Sequence, residues 1–246
     1  ANLTLFQKFM HRHFGLTRYN HYIVVKVVRF GYLAVYFHIH ENGILRTGRQ
    51  KLCIPIAESY SDCMILIKSD RFRRTGKMES TLSILFHSIK PFSSTLLFWL
   101  RLSSYKGFLY PFCRFRYERV SKKAQVQISP FTKIGYGFYT GHNICMIVNG
   151  ATVIGNNVNI SQFLNIGTNH NTPAIIGDNV YIGPHVSIVE NVKIGSNSSI
   201  GAGAVVTKDI PDNATAAGIP AQVLNYNNPG RYVGNRYKYN HEKLRQ

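Results

Sequence analysis

Residues 176–206 read IGDNVYIGPHVSIVENVKIGSNSSIGAGAVV. Ile176, Ile182, Ile188, Ile194, Ile200 and Val206 return every six positions without a slip. Val180, Val186, Val192 and Ala204 form a second row, four residues after their aliphatic partners. The same rule runs backward through Ile166, Ile160, Ile154, Val148, Ile134 and Ile128, with Val158 in the second row. Glycine follows the aliphatic at positions 135, 155, 167, 177, 183, 195 and 201. Period six is neither the 3.6 of a helix nor the plain alternation of a strand. It fits three short faces of two residues each, stacked turn upon turn as a parallel β-helix. Each turn points its aliphatic into a prism-shaped core, and the glycine is expected to permit a corner conformation that other residues resist. A chance run of Ile-Gly pairs would not hold register from 176 to 206.

The register breaks twice. Fourteen residues separate Ile134 from Val148, two more than two turns, and ten separate Ile166 from Ile176, four more than one turn. Insertions in a solenoid become loops, often on the binding face. The first break carries His142; the second carries His170 within Thr168-Asn169-His170-Asn171-Thr172.

The chain of 246 residues has room for one or two domains. No apolar run reaches the eighteen residues of a spanning helix. Leu96 to Leu102 is apolar but short, and Arg101 interrupts it. The N-terminus lacks the compact apolar run of a signal peptide. Cys53, Cys63, Cys113 and Cys145 show no zinc spacing, so no metal is expected, and their scatter fits a reducing cytoplasm. The net charge of +18 is lopsided: residues 1–125 carry 21 Lys and Arg against 6 Asp and Glu, whereas residues 126–246 carry 8 against 5. A basic half suits an anionic glycan or the inner face of the cytoplasmic membrane; a solvated basic face without a partner is the alternative. Nucleic acid is not expected, because no binding motif accompanies the charge.

Four segments follow. Residues 1–63 are an N-terminal extension of unclear fold, with short strands at Ile23 to Val28 and Leu33 to Ile39. It reads as an appendage or a membrane-associating arm. Residues 64–125 read as helical, with Ser80 capping Thr81 to Ile89 and Pro91 limiting that helix. Tyr110 to Lys123 interleaves Phe112, Phe115 and Tyr117 with Arg114, Arg116 and Arg119. That segment is either a plain cap on the β-helix or a basic-aromatic surface for a membrane or glycan. Residues 126–210 form the β-helix. Residues 211–246 are a tail that wraps the surface or a neighbouring subunit.

Several motifs bring a family into view. They are Ile134-Gly-Tyr-Gly-Phe-Tyr-Thr-Gly-His142, Ile147-Val148-Asn149, Asn159-Ile160-Ser161-Gln162, Ile176-Gly-Asp-Asn-Val-Tyr-Ile-Gly183, Ile200-Gly-Ala-Gly-Ala-Val-Val-Thr-Lys-Asp-Ile-Pro211 and Ala217-Gly-Ile-Pro-Ala221. Upstream, Ile67-Lys-Ser-Asp-Arg-Phe-Arg-Arg and Phe98-Trp-Leu-Arg-Leu-Ser-Ser-Tyr105 belong with them. On these residues the chain resembles the serine acetyltransferase branch of the left-handed β-helix acyltransferases. It is most like the O-acetyltransferases found with bacterial capsule and O-antigen genes.

The resemblance implies a mainly β protein: a left-handed parallel β-helix behind an α-helical N-terminal region, assembled as a homotrimer. It implies an acetyl-CoA-dependent transferase acting on a sugar hydroxyl of a bacterial surface polysaccharide or its precursor. Serine O-acetyltransferase and a non-catalytic β-helix scaffold are the alternatives. Acetyl transfer needs a base for the hydroxyl proton, donors for the oxyanion and a groove for the thioester. His142 stands at the family's catalytic histidine, and histidine's ordinary pKa near neutrality suits the task. Gly141 and Gln127 stand where serine acetyltransferases carry aspartates, so the counter-charge for an ammonium substrate is gone. Asn143, Asn149 or backbone carbonyls are left to orient His142. His170, Asn143, Asn149 and Gln127 are candidates for binding the acceptor, and His185 reads as an outward surface residue. For coenzyme A the resemblance points to Gly183, Gly201 and Ala202 at the pantetheine, Thr207 and Lys208 at the phosphates, and Ile219 and Pro220 at the adenine.

Overall fold

The structure, a computed structural model, describes residues 52, 54–88, 95–168, 173–189 and 191–239, and the strand backbones at 17–19, 22–26, 34–39 and 45–47. It divides after Lys51 into two compact units. The first is an antiparallel meander of β1 (Thr17–Tyr19), β2 (Tyr22–Lys26), β3 (Ala34–Ile39) and β4 (Leu45–Thr47). Both strands expected there are present, and Tyr22 pairs with His38 and Lys26 with Ala34.

In the second unit each six-residue repeat becomes a two-residue strand and a corner. The strands are β5 (Val126–Ile128), β6 (Lys133–Ile134), β7 (Tyr139–Thr140), β8 (Met146–Val148), β9 (Val153–Ile154), β10 (Asn159–Ile160), β11 (Asn165–Ile166), β12 (Ile175–Ile176), β13 (Tyr181–Ile182), β14 (Ser187–Ile188), β15 (Lys193–Ile194), β16 (Ser199–Ile200), β17 (Val205–Val206), β18 (Thr215–Ala217) and β19 (Gln222–Asn225). They stack as three faces. The first holds β5, β8, β11, β14 and β17; the second β6, β9, β12 and β15; the third β7, β10, β13, β16 and β18, with β19 antiparallel at its end. This is the expected parallel β-helix. Its aliphatics pair in register: Ile134 with Ile154, Ile154 with Ile176, and Ile176 with Ile194. Ile154, Ile166, Ile176 and Ile182 have no solvent exposure. Burying such a side chain contributes about 1.5–3 kcal/mol, and the core repeats it at every coil.

The corners differ from the expectation. The glycines at 135, 155, 177 and 195 do not adopt positive φ. They are there because the next coil is too close for a side chain. A Cβ on Gly155 would lie 2.5 Å from the Gly177 carbonyl oxygen, and one on Gly195 2.3 Å from the Asp212 amide nitrogen. The left-handed turn comes two residues later, at Gly137, Asn157, Asn179, Asn197 and Asn213. Asparagine tolerates that region and hydrogen-bonds locally. Here the amides also bond coil to coil, Asn179 Nδ2 donating to Asn197 Oδ1 at 3.0 Å and Asn197 Nδ2 to Asn213 Oδ1 at 3.2 Å.

The helices are α1 (Tyr60–Thr75), α2 (Thr81–Ser88), α3 (Leu96–Leu102) and α4 (Tyr110–Ala124). The first starts at Tyr60 rather than 64 because Ser59 caps it, its side chain accepting from the Asp62 amide. Ser80 caps α2 as expected, accepting from the Ser83 amide. Together these helices close the open end of the β-helix. Arg101, seen in the sequence as an interruption, is buried and bidentate to Asp70 at 2.8 and 3.0 Å. It also donates to the Ile134 and Gly135 carbonyls at 2.8 and 2.6 Å. Asp70 accepts from the Phe138 amide, Ser69 from the Gly137 amide, and Arg73 donates to the Gly137 carbonyl. Burial lowers the Arg73 pKa to about 10, against the opposing pull of Asp70.

The tail returns along its own molecule. It runs back over the corner between the second and third faces. Gly230 N donates to Asn197 O, Asn159 Nδ2 to Tyr232 O, and Asn157 exchanges hydrogen bonds with Tyr237. Tyr239 stacks on Tyr136 and its hydroxyl donates to Asp178.

Three substitutions test this packing. Gly155→Ala should lower unfolding free energy by about 1–3 kcal/mol in a denaturant titration, as overpacking does. Gly167→Ala, where a Cβ would meet nothing within 4 Å, should be nearly neutral. Arg101→Met, which strands the buried Asp70 carboxylate, should cost about 3–5 kcal/mol.

Candidate functional site

The two register breaks fall on opposite borders of the first face. The extra residues around His142 lie in the corner from β7 to β8, between the third and first faces. The insertion at 167–174 lies in the corner from β11 to β12, between the first and second faces. One face is therefore bordered by both register breaks. Its outward row runs through Gln127, Ile147, Asn165, Ser187 and Val205, each paired with the next along the ladder.

His142 is exposed on its corner. The corner is shaped locally: Thr140 Oγ1 donates to Asn143 Oδ1, and the Ile144 amide donates to the His142 carbonyl at 2.9 Å. Behind it Cys145, in the left-handed region, is tied to the end of α4, its amide donating to Ala124 O at 2.9 Å. Asn143 thus sits beside His142. Asn149 does not: it lies across the first face, where its side chain accepts from the Ala151 amide in a turn. Gln127 is exposed on the face itself, opposite Ile147. His170 lies outside the described residues. An open groove between α4 and the first face is lined by Arg114, Lys122, Gln127, Cys145, Ile147 and Phe163.

The residues singled out for coenzyme A divide between the two borders. Gly183, Gly201 and Ala202 occupy the same corner column as His142, on later coils, and Ile219 and Pro220 follow at its exit. Gly183 lies two coils from His142, roughly 10 Å along the axis at one strand spacing per coil. Thr207 and Lys208 lie instead on the opposite border, in the column of the 167–174 loop.

The later coils of the His142 column carry small and exposed residues. Gly203 has positive φ and open space around its Cα, Ala202 is exposed, and Ile219 is 76% exposed. Gln162 Oε1, in the same column, is buried without a hydrogen-bond partner. An orphaned acceptor of this kind suits a ligand amide. Sequence reasoning passed over Phe163, whose ring stacks on His185 at 4.4 Å and 16°. Both residues have positive φ in this column, as do Cys145 and Gly203. His185 is exposed, as expected, yet belongs to the site's border. Among the described residues no group of three or more His, Cys, Asp or Glu could hold a metal.

Comparison with known proteins agrees with this architecture. The family "Bacterial transferase hexapeptide (six repeats)" matches residues 173–208. Galactoside O-acetyltransferase of Escherichia coli K12 is 39% identical over 105 residues, 37% of this chain and 52% of that protein. Serine acetyltransferase of Bacillus subtilis is 32% identical over 123 residues, 48% of this chain and 55% of that protein. Serine acetyltransferase 3 of Arabidopsis thaliana mitochondria is 38% identical over 111 residues, 28% of its length. The chain spans about half or less of these relatives. Among solved structures, a serine acetyltransferase in complex with CoA superposes with TM-score 0.51 at 25% identity, over 66% of this chain and 68% of that one. The soybean serine acetyltransferase complexed with serine gives 0.51 at 27%, over 67% and 68%. The chain is thus similar to hexapeptide-repeat transferases over these coils, and to serine acetyltransferases and a galactoside O-acetyltransferase over part of their length.

Proposed function

We propose that the protein is an acetyl-CoA-dependent O-acetyltransferase whose acceptor is a sugar hydroxyl of a bacterial surface polysaccharide or its precursor. The observation that carries the reading is the corner column that aligns exposed His142 with Gly183, Ala202 and Gly203. His142 takes the proton of the acceptor hydroxyl. Asn143 and the Thr140 contact hold its loop. Gly183, Gly201, Ala202, Ile219 and Pro220 hold the donor, with Gln162 Oε1 accepting from an amide N–H of its arm. When bound, acetyl-CoA supplies the acyl group as an activated thioester. Thr207 and Lys208 lie across the first face, so they reach a donor held by a neighbouring subunit more readily than one in the His142 column of their own subunit. That division supports a homotrimer.

The acceptor is read from charge. Gly141 and Gln127 offer no carboxylate for the ammonium group of an amino acid. The groove between α4 and the first face, which reaches Cys145, is bordered by Lys122 and by Arg114 paired with Glu118, and this supports a neutral or anionic glycan over an ammonium substrate. Free serine is the second reading, favoured by the serine acetyltransferases among the relatives. We place the enzyme in the cytoplasm, at the inner face of the membrane, because the cationic excess lies in the half that holds the helices.

His142→Ala should lower kcat by about two to four orders of magnitude, as loss of a general base does. Acetyl-CoA affinity, measured by calorimetry, should stay nearly unchanged. Full activity in this variant would remove His142 from the role. Parallel kcat/KM measurements on serine, sialic acid and hexose polymers separate the two acceptors; a clear preference for serine would overturn the glycan reading. Sedimentation should find a trimer, and a fully active monomer would contradict the shared site.

A further inference from the structure

We propose that α4 is a docking face for an anionic lipid surface. The contact deepens the reading above, because it would hold the acceptor site at the membrane, but its test does not depend on catalysis. The helix has two unlike sides. Cys113, Tyr117, Val120 and Ala124 are buried, on the side that packs against α3 and the first strand of the β-helix. The opposite side is bare: Phe112 is 57% and Phe115 56% exposed, and Phe108, just before the helix, is 84% exposed. Positions 112, 115, 119 and 123 fall at spacings of three and four, so Phe112, Phe115, Arg119 and Lys123 share one stripe. All four are exposed. Arg119 lies over the Phe115 ring at 5.6 Å, and Lys106 over Phe131 at 4.9 Å.

The charge decides the occupant. From Arg114 to Lys123 the helix carries five cations and one acid, Glu118, which is paired with Arg114 at 2.7 Å. A second copy meeting this face by a two-fold axis would set these cations against their own kind. A soluble anion would satisfy the arginines but leave three phenylalanines in water. Aromatic rings at the acyl boundary with arginine and lysine among the headgroups satisfy both. The stripe also leads to the candidate site, because Ala124 and Gln125 at the end of α4 bond to Cys145, three residues beyond His142. A lipid-linked glycan would then present its sugar beside that corner.

The test uses the full chain in co-sedimentation with vesicles of phosphatidylcholine, alone or mixed with phosphatidylglycerol. The protein should bind only the mixed vesicles. Phe112→Ser with Phe115→Ser should lower the partition coefficient at least tenfold, given the apolar area each ring buries. Arg119→Gln with Lys123→Gln should lower it roughly tenfold. The sole tryptophan, Trp99, lies 5.8 Å from the Phe112 ring. Its emission should be quenched by brominated acyl chains in the parent and not in the phenylalanine variant. Binding that survives the phenylalanine changes would mean that the net charge alone attracts the chain, and would overturn the proposal. So would absence of vesicle binding, or light scattering in which the phenylalanine variant forms a smaller particle than the parent. Retention on an anionic polysaccharide, lost in that variant without any vesicle affinity, would assign the face to glycan instead.

Discussion

A parallel β-helix has a first coil, and that coil is the problem the rest of the molecule is built around. Its inward side chains and its backbone groups at the end have no previous coil to meet. The buried Asp70–Arg101 pair answers this. Arg101 satisfies two carbonyls of the corner after β6, and Asp70 accepts an amide three residues further on. Neither charge would be stable there alone, since a lone ion in such a place costs several kcal/mol. Paired, and hydrogen-bonded to the backbone, they fix helices α1 and α3 to the corner in one orientation. The same corner leads through β7 into the loop that carries His142. The cap and the candidate site are consecutive on one strand.

The three corner columns are used differently. The column between the second and third faces is a stack of left-handed asparagines, and the tail lies along it. Tyr237 occupies the Asn157 amide, Tyr232 accepts from Asn159, and Tyr239 reaches Asp178. Arg73 joins the ends of this arrangement, reaching Gly137, Asn159 and Gly234 at once. That corner is covered by its own chain, whereas the outward row of the first face runs through exposed Gln127 and Ile147. The register breaks sit on that face's two borders.

Much of the architecture was legible in the aliphatic spacing, because a period of six has one structural meaning when it persists over several coils. The positions of the breaks were legible too, since an insertion must leave the register. Their placement on two borders of one face was not, because it depends on which strand each insertion follows. The glycine reading mistook the physical reason: Gly155 and Gly195 are small because a neighbouring backbone passes within Cβ distance. That distance exists only after the coils have stacked. Arg101 was opaque for a similar cause. An arginine in an apolar run reads as a solvent-facing interruption, and its partner Asp70 lies thirty-one residues away. The tail's path was hidden because its bonds to Asn157, Asn159 and Asn197 are specified by shape rather than by a motif.

The stacked pair of Phe163 and His185 brings these strands together. Both residues take a left-handed conformation that bulky side chains avoid, and a strained position of this kind persists only where surrounding structure over-determines it. Here the determinant is the ladder: the His185 amide donates to Gln162 O, and Gly203 donates to Pro184 O one coil on. Each corner in the column thus holds the next. The orphaned Gln162 Oε1 sits inside that chain of bonds, between the coil of His142 and the coil of Gly183. A buried polar atom left unsatisfied costs about 1–3 kcal/mol. The ladder of backbone bonds that ties each corner to the next offsets that cost, so the column keeps its form although its hydrogen bonding is incomplete.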